Sequence, residues 1–98
     1  MRLPERSVLV LTSLAGGDKH GYALLKDVEA FSGVVLSPGT LYAALARLES
    51  DGFVERLDAD DRRYPYRLTP AGRTALADRL AESSRIAHLG LRRIALAD

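Results

Sequence analysis

Apolar residues recur at helical spacing from Pro4 to Leu14, where Val8, Leu11 and Leu14 share a face that Leu9 and Val10 widen, predicting a mostly buried first helix. Gly16-Gly17 ends it. Asp18 is then the expected cap of a second helix from about Lys19 or His20 to Phe31, with Tyr22, Leu24, Leu25, Val28 and Phe31 on its buried side. Ser32-Gly33 closes that helix, and Val34-Val35-Leu36 is a short extended link.

The third helix has the sharpest boundaries. Ser37 suits the N-cap, Pro38 the first helical position, and Gly52 the left-handed residue past the end. At 100° per residue Leu41, Ala44, Leu45 and Leu48 form one stripe, while Gly39, Ala43, Ala46 and Ser50 lie opposite, flanked by Thr40, Arg47, Tyr42 and Glu49. A face of small residues with few charges lets a helix backbone approach a partner, and its N-terminal N–H groups suit a phosphate. Two readings stand at this point, a docking helix and an ordinary surface helix.

Phe53 to Leu57 and Tyr64 to Leu68 have strand character and flank a polar tip of Asp58-Ala59-Asp60-Asp61 and two arginines, which predicts an antiparallel hairpin. Tyr64, Tyr66 and Leu68 share a face by the two-residue period. Pro65 cannot donate to a ladder, so this strand is expected at an edge or bulged. Thr69-Pro70 repeats the cap-plus-proline signature and opens a helix reaching about Leu96, roughly 40 Å long. Leu76, Leu80, Ser83, Ala87, Leu91 and Ile94 form one stripe along it, more than a small head can cover, so a second copy of the chain is the expected partner, with Gly90 a place where the helix bends or breaks.

Composition narrows the class. The 98 residues make one core-sized head, taken as residues 1–69, with a C-terminal dimerisation helix over 70–98. Without cysteine there is neither a disulfide framework nor a thiolate metal site, and the cytoplasm is the default compartment. Apolar runs such as Val8-Leu9-Val10-Leu11 are too short for a bilayer, and no signal-peptide pattern opens the chain. The net charge of +1 brings no general pull toward nucleic acid, and from Pro38 to Arg73 six arginines are matched by six acids. His20 and His88 are far apart in sequence and no Gly-rich phosphate loop is present, so no catalytic residue, metal ligand or cofactor is assigned.

The order helix, helix, helix, hairpin, long helix is that of a mainly α (α+β) winged helix-turn-helix protein. His20-Gly21-Tyr22, the run Ser37-Pro38-Gly39-Thr40-Leu41-Tyr42 with Leu45, Arg47, Leu48 and Glu49, and Tyr66-Arg67-Leu68-Thr69-Pro70-Ala71-Gly72-Arg73 together resemble the PadR family of bacterial transcriptional regulators, over roughly Val8 to Leu80. The resemblance implies a dimeric, mostly repressing protein whose third helix enters the major groove of operator DNA while the wing reaches the flanking backbone. It also implies a small-molecule effector, frequently aromatic, and dimerisation through the last helix with help from the first. The single last helix matches the family's smaller branch. Relatives commonly carry Gly, Arg and Lys in the wing, where this chain has Asp60-Asp61-Arg62-Arg63-Tyr64-Pro65.

The candidate DNA contacts are accordingly His20, Tyr22, Ser37, Gly39, Thr40, Tyr42, Ala43, Arg47, Arg62 and Arg63, and the candidate dimerisation residues are Leu76, Leu80, Ala87, Leu91 and Ile94. Thr40 and Tyr42 offer hydroxyls near the positive end of the third helix, and Ser37 combines capping with phosphate contact. Gly39, Ala43 and Ala46 bring no donors, which shifts readout toward close approach, thymine methyls and DNA shape. Arg62 and Arg63 are phosphate or minor-groove contacts, or part of a solvated turn. Tyr22 is a core residue or a backbone contact, and His20 a cap, a phosphate contact or a surface residue. A winged-helix protein-interaction module that does not bind DNA is the alternative function, and the matched charge of residues 38–73 is its motive.

Overall fold

The computed structural model describes residues 3–97; residues 1 and 2, and residue 98 at the end of the expected C-terminal arm, lie outside the described residues. The elements run α1 (Glu5–Ala15), β1 (Lys19–His20), α2 (Gly21–Ser32), α3 (Pro38–Ser50), β2 (Val54–Arg56), β3 (Pro65–Leu68) and α4 (Pro70–Ala97). Three helices followed by a two-stranded wing and a long helix make a winged helix-turn-helix.

One core joins the four helices with β2 and β3. Val8, Val10, Leu11 and Leu14 of α1 meet Leu24 of α2, the α3 stripe of Leu41, Leu45 and Leu48, and Val54, Tyr66 and Leu68 from the sheet. Leu76 of α4 closes the same cluster, so the first turns of the last helix belong to the head. Ser7 and Ser13 of α1 are buried polar residues, and the Ser13 hydroxyl donates to Asp27 Oδ2 at 2.6 Å while Lys19 Nζ donates to the Ser13 carbonyl at 2.5 Å. That network fastens the end of α1 to α2 and to the segment between them.

Caps set the ends of α3. Ser37 Oγ accepts from the Thr40 amide at 3.1 Å, Pro38 occupies the first turn, and Gly52 takes φ +80°. Thr69 performs the same service for α4, its hydroxyl accepting from the Gly72 amide at 3.0 Å and donating to the Gly52 carbonyl at 2.7 Å. One threonine thus joins the end of α3 to the start of α4.

The sheet differs from expectation. Its order is β1-β3-β2, all antiparallel, with Lys19 opposite Tyr66 and His20 opposite Pro65 on one side, and Val54 opposite Leu68 and Arg56 opposite Tyr66 on the other. β3 is therefore the central strand rather than an edge. Pro65 is tolerated because it is the strand's first residue, where its carbonyl still accepts from the Leu57 amide at 2.8 Å and a missing N–H breaks no ladder. Lys19 and His20 pair as strand, so α2 begins at Gly21, and Asp18 caps nothing: its carboxylate accepts from Arg67 Nη2 at 3.1 Å. Tyr22 and Phe31, expected on the buried side of α2, face outward, and Lys26 Nζ sits 5.6 Å from the Tyr22 ring centroid.

α4 runs unbroken through Gly90 and spans about 42 Å at 1.5 Å per residue. Every described residue from 84 onward is exposed, including Ile86, Leu89, Leu91, Ile94 and Leu96. Among the described residues no helix is long and apolar enough to cross a membrane.

Candidate nucleic-acid interface

Burying the α3 stripe turns the opposite side of that helix outward, with Gly39, Tyr42, Ala43, Ala46 and Arg47 all exposed and Thr40 half-buried at the first turn. The Ser37 hydroxyl donates to Thr40 Oγ1 at 2.9 Å, so Thr40 uses its oxygen within the cap and keeps its own hydroxyl proton to give. A β-carbon built on Gly39 meets nothing within 4 Å, which means that the fold itself has no need of glycine there.

Beside α3, the start of α2 and the wing complete a concave surface. His20 occupies the N-cap position of α2 but makes no side-chain capping bond, and its Nδ1 is buried without a hydrogen-bond partner. Gly21 follows, buried beneath Tyr42, whose phenol occupies the space a β-carbon would need. Across the gap the wing folds back at Asp60-Asp61-Arg62-Arg63. Asp60 and Arg63 form a bridge, with N–H to carbonyl distances of 2.7 and 3.1 Å, and the two residues between them have φ +52° and +70°. Two positive φ values in a two-residue loop match the right-handed twist of the strands, and they ordinarily call for Asn or Gly.

Between these walls is a cleft of about 200 Å³ lined by His20, Gly21, Tyr22, Tyr42, Arg62, Arg63, Tyr64 and Tyr66. Five of the candidate DNA contacts are thus brought together, while Ser37, Gly39, Thr40, Ala43 and Arg47 lie along α3. Asp60 and Asp61 of the wing line an adjoining cleft on the β1 side, which shares His20 and Arg63 with this one and adds Asp18, Lys19, Ala23 and Pro65. Arg67, which the wing motif also contains, is occupied by Asp18 at 3.1 Å and Glu55 at 3.7 Å. Its hydrogen bond to Asp18 raises the guanidinium pKa still further.

Sequence alone left Gly21, Tyr64, Tyr66 and Arg56 without a role in this surface. Arg56 stacks over the Tyr64 ring with its guanidinium carbon 4.5 Å from the centroid. Tyr66, central in the sheet, is mostly buried, and this desolvation pushes its phenol pKa above the ordinary value, opposed by Arg56 and aided by Glu49 and Tyr42. The available signal was the two-residue alternation that put Tyr64 and Tyr66 on one face. Of the candidate dimerisation residues, Leu76 is buried in the head, whereas Leu80, Ala87, Leu91 and Ile94 are exposed along α4.

Known proteins share this architecture. The chain is 49% identical over 76 residues to an uncharacterized 37.1 kDa protein in transposon TN4556 of Streptomyces fradiae, and 43% identical over 72 residues to the transcriptional regulator Rv3488 of Mycobacterium tuberculosis. These alignments take in 78% and 70% of the chain, which spans 22% and 66% of the respective relatives' lengths. A PadR family transcription regulator from Clostridium difficile superposes with a TM-score of 0.81 at 27% identity, over 90% of this chain and 96% of that one. Residues 10–78 match the transcriptional regulator PadR-like family, and the chain belongs to it.

Proposed function

We propose that this winged-helix regulator binds operator DNA in a sequence-specific manner as a homodimer, and that it represses transcription until a small ligand releases it. The observation that carries the DNA half is the bare, outward face of α3 beside a wing whose tip carries Arg62 and Arg63. Gly39 and Ala43 permit close approach to the groove floor, Thr40 has a hydroxyl proton to give, and Tyr42 stands at the same end of the helix. Ser37 and Arg47 would meet phosphates on either side, His20 and Tyr22 the backbone at the start of α2, and Arg62 and Arg63 the backbone or minor groove at the wing.

The dimer half is supported by α4. From Leu80 through Ala87 to Leu91 and Ile94 it presents apolar side chains well beyond the head, with Leu76 at the root, and a second copy offers the same helix in return. Residues 70–98 would then serve as the arm, rooted through Leu76 in the core of the reading head that residues 1–69 otherwise build. A dimer seated on a promoter denies that site to polymerase, which is the physical basis of the repressor role. Its place of action is the cytoplasm.

Polarisation titration of the chain against its own promoter region at 50 and 200 mM salt, with an unrelated duplex as competitor, tests this reading. A dimer neutralising ~6–10 phosphates loses ~10³–10⁵ in affinity between those conditions. Binding that ignores salt overturns the DNA reading, and absence of binding at low salt returns the chain to the class of protein-interaction modules. Sedimentation of the same sample reads the dimer directly.

A further inference from the structure

Arg56 of β2 lies directly opposite Tyr66 of β3. Residues paired across an antiparallel ladder project from the same face of the sheet, and Tyr64, two residues before Tyr66, shares that face. The contact agrees with the register: the Arg56 guanidinium carbon stands 4.5 Å from the centroid of the Tyr64 ring. Tyr64 and Tyr66 line the cleft beside Tyr42, and Arg56 acts electrostatically on the Tyr66 phenol together with Glu49 and Tyr42 of α3. Arg56 is therefore on the side of the wing that is turned toward α3. We propose that Arg56 is a DNA-phosphate contact of the wing, and that Tyr64 is its positioning residue. The proposal rests on the DNA-binding reading above and adds to it a contact residue and the device that orients it.

The two faces of the sheet sort the arginines of the hairpin by charge. Arg67, on the other face, is engaged by Asp18 at 3.1 Å and Glu55 at 3.7 Å, so its charge is spent within the protein. Arg62 and Arg63 sit at a tip that also holds Asp60 and Asp61, where an approaching phosphate meets both signs. Arg56 is exposed and has no ion-pair partner among the described residues. Its positive charge is met by a ring face and by no carboxylate.

Stacking suits a phosphate contact for two reasons. The N–H groups of a guanidinium lie in its plane, so a ring against its flat side leaves the edge free to offer a phosphate two parallel hydrogen bonds. The ring also holds a long side chain in place before the duplex arrives, which lowers the rotamer entropy lost on binding. Lysine has neither the flat side nor the fork.

Polarisation titration of the full chain against its promoter duplex and an unrelated duplex, at 50 and 200 mM salt, tests the proposal. Arg56→Gln is expected to weaken both duplexes by the same factor, about tenfold at the lower salt, and to lower the salt slope by about one per head. Arg56→Lys keeps the charge and should retain the slope while losing about threefold in affinity. Arg85→Gln removes the same charge from the exposed far half of α4 and should leave the slope at the parental value, which separates a contact from a change in net charge. Tyr64→Leu should cost about threefold in the parent and almost nothing in the Arg56→Gln background, because the ring works through the guanidinium. Circular dichroism checks that each variant keeps the fold. A folded Arg56→Gln chain with parental affinity and slope overturns the proposal, and one that changes the preference between the duplexes makes Arg56 a base reader and overturns the phosphate assignment. Equal costs of Tyr64→Leu in the two backgrounds overturn the positioning role. A parent chain that binds neither duplex at the lower salt refutes the DNA reading, and the proposal falls with it.

Discussion

The phenol of Tyr42 on α3 rests directly against Gly21 at the start of α2: a β-carbon at position 21 would overlap the hydroxyl and stand 2.8 Å from Cζ. Glycine is therefore favoured there by a partner 21 residues away and not by its own backbone. Because the obstacle is the end of a half-exposed side chain, Gly21→Ala should turn the Tyr42 ring aside while the fold survives. The expected cost is about 1 kcal/mol in thermal unfolding, with a larger proportional loss in DNA titration. In a Tyr42→Ala background the same change should cost little, and equal costs in the two backgrounds would disprove the contact as the cause.

Gly72 has a harder neighbour. A β-carbon there would collide with the Phe53 carbonyl oxygen and lie 2.9 Å from both its carbon and Leu68 Cδ1. The Phe53 carbonyl is also the acceptor for the Thr69 amide at 3.1 Å, so it cannot retreat without loosening the junction between α3 and α4. Gly72→Ala should cost about 1–3 kcal/mol in urea denaturation. Gly90→Ala is the comparison within the same helix: within one protomer nothing lies within 4 Å of the added methyl, so helix propensity alone should favour the change by about 0.5–1 kcal/mol.

Tyr66 links the core to pH. Burial raises its phenol pKa, so the folded state holds that proton more tightly than the unfolded chain does. The stability this gives is fully present below the unfolded value of about 10 and is lost as pH rises from there through the folded value. Tyr66→Phe should change little at neutral pH and should flatten the alkaline limb of a stability profile taken from pH 9 upward. An unchanged alkaline limb would assign it to other groups.

What was legible in the sequence was local. The caps of α3 and α4 are read from Ser37-Pro38, Gly52 and Thr69-Pro70 because each signal acts within a few residues, and the stripe Leu41, Ala44, Leu45 and Leu48 is buried as its period requires. What escaped was set across the fold. Lys19 and His20 become a strand only because β3 lies beside them, which in turn makes β3 central despite Pro65. Asp18 looked like a cap, but Arg67, 49 residues away, takes its carboxylate. Tyr22 and Phe31 fit an apolar stripe whose outer edge α1 and α3 do not cover, so they remain exposed. Nothing local to the tyrosines could show that four of them would share a cleft.

The wing tip sets stability against function at one residue. Arg62 adopts φ +70° in a two-residue loop, a conformation that costs a side-chain-bearing residue about 1 kcal/mol and glycine almost nothing. Arg62→Gly should therefore stabilise the hairpin by about that amount, raising the melting temperature by roughly 4–8 °C for a domain of this size. If the arginine is kept there for a phosphate, the same substitution should weaken binding to all duplexes alike and lower the salt slope by about one per head. Arg62→Lys separates the two effects, since it keeps the charge and the strained backbone. It should bind nearly as the parent does at a phosphate, and much less well if the contact is a bidentate fork. A glycine variant that is both more stable and equally tight on DNA would remove Arg62 from the interface and leave Arg63 as the cation of the wing tip.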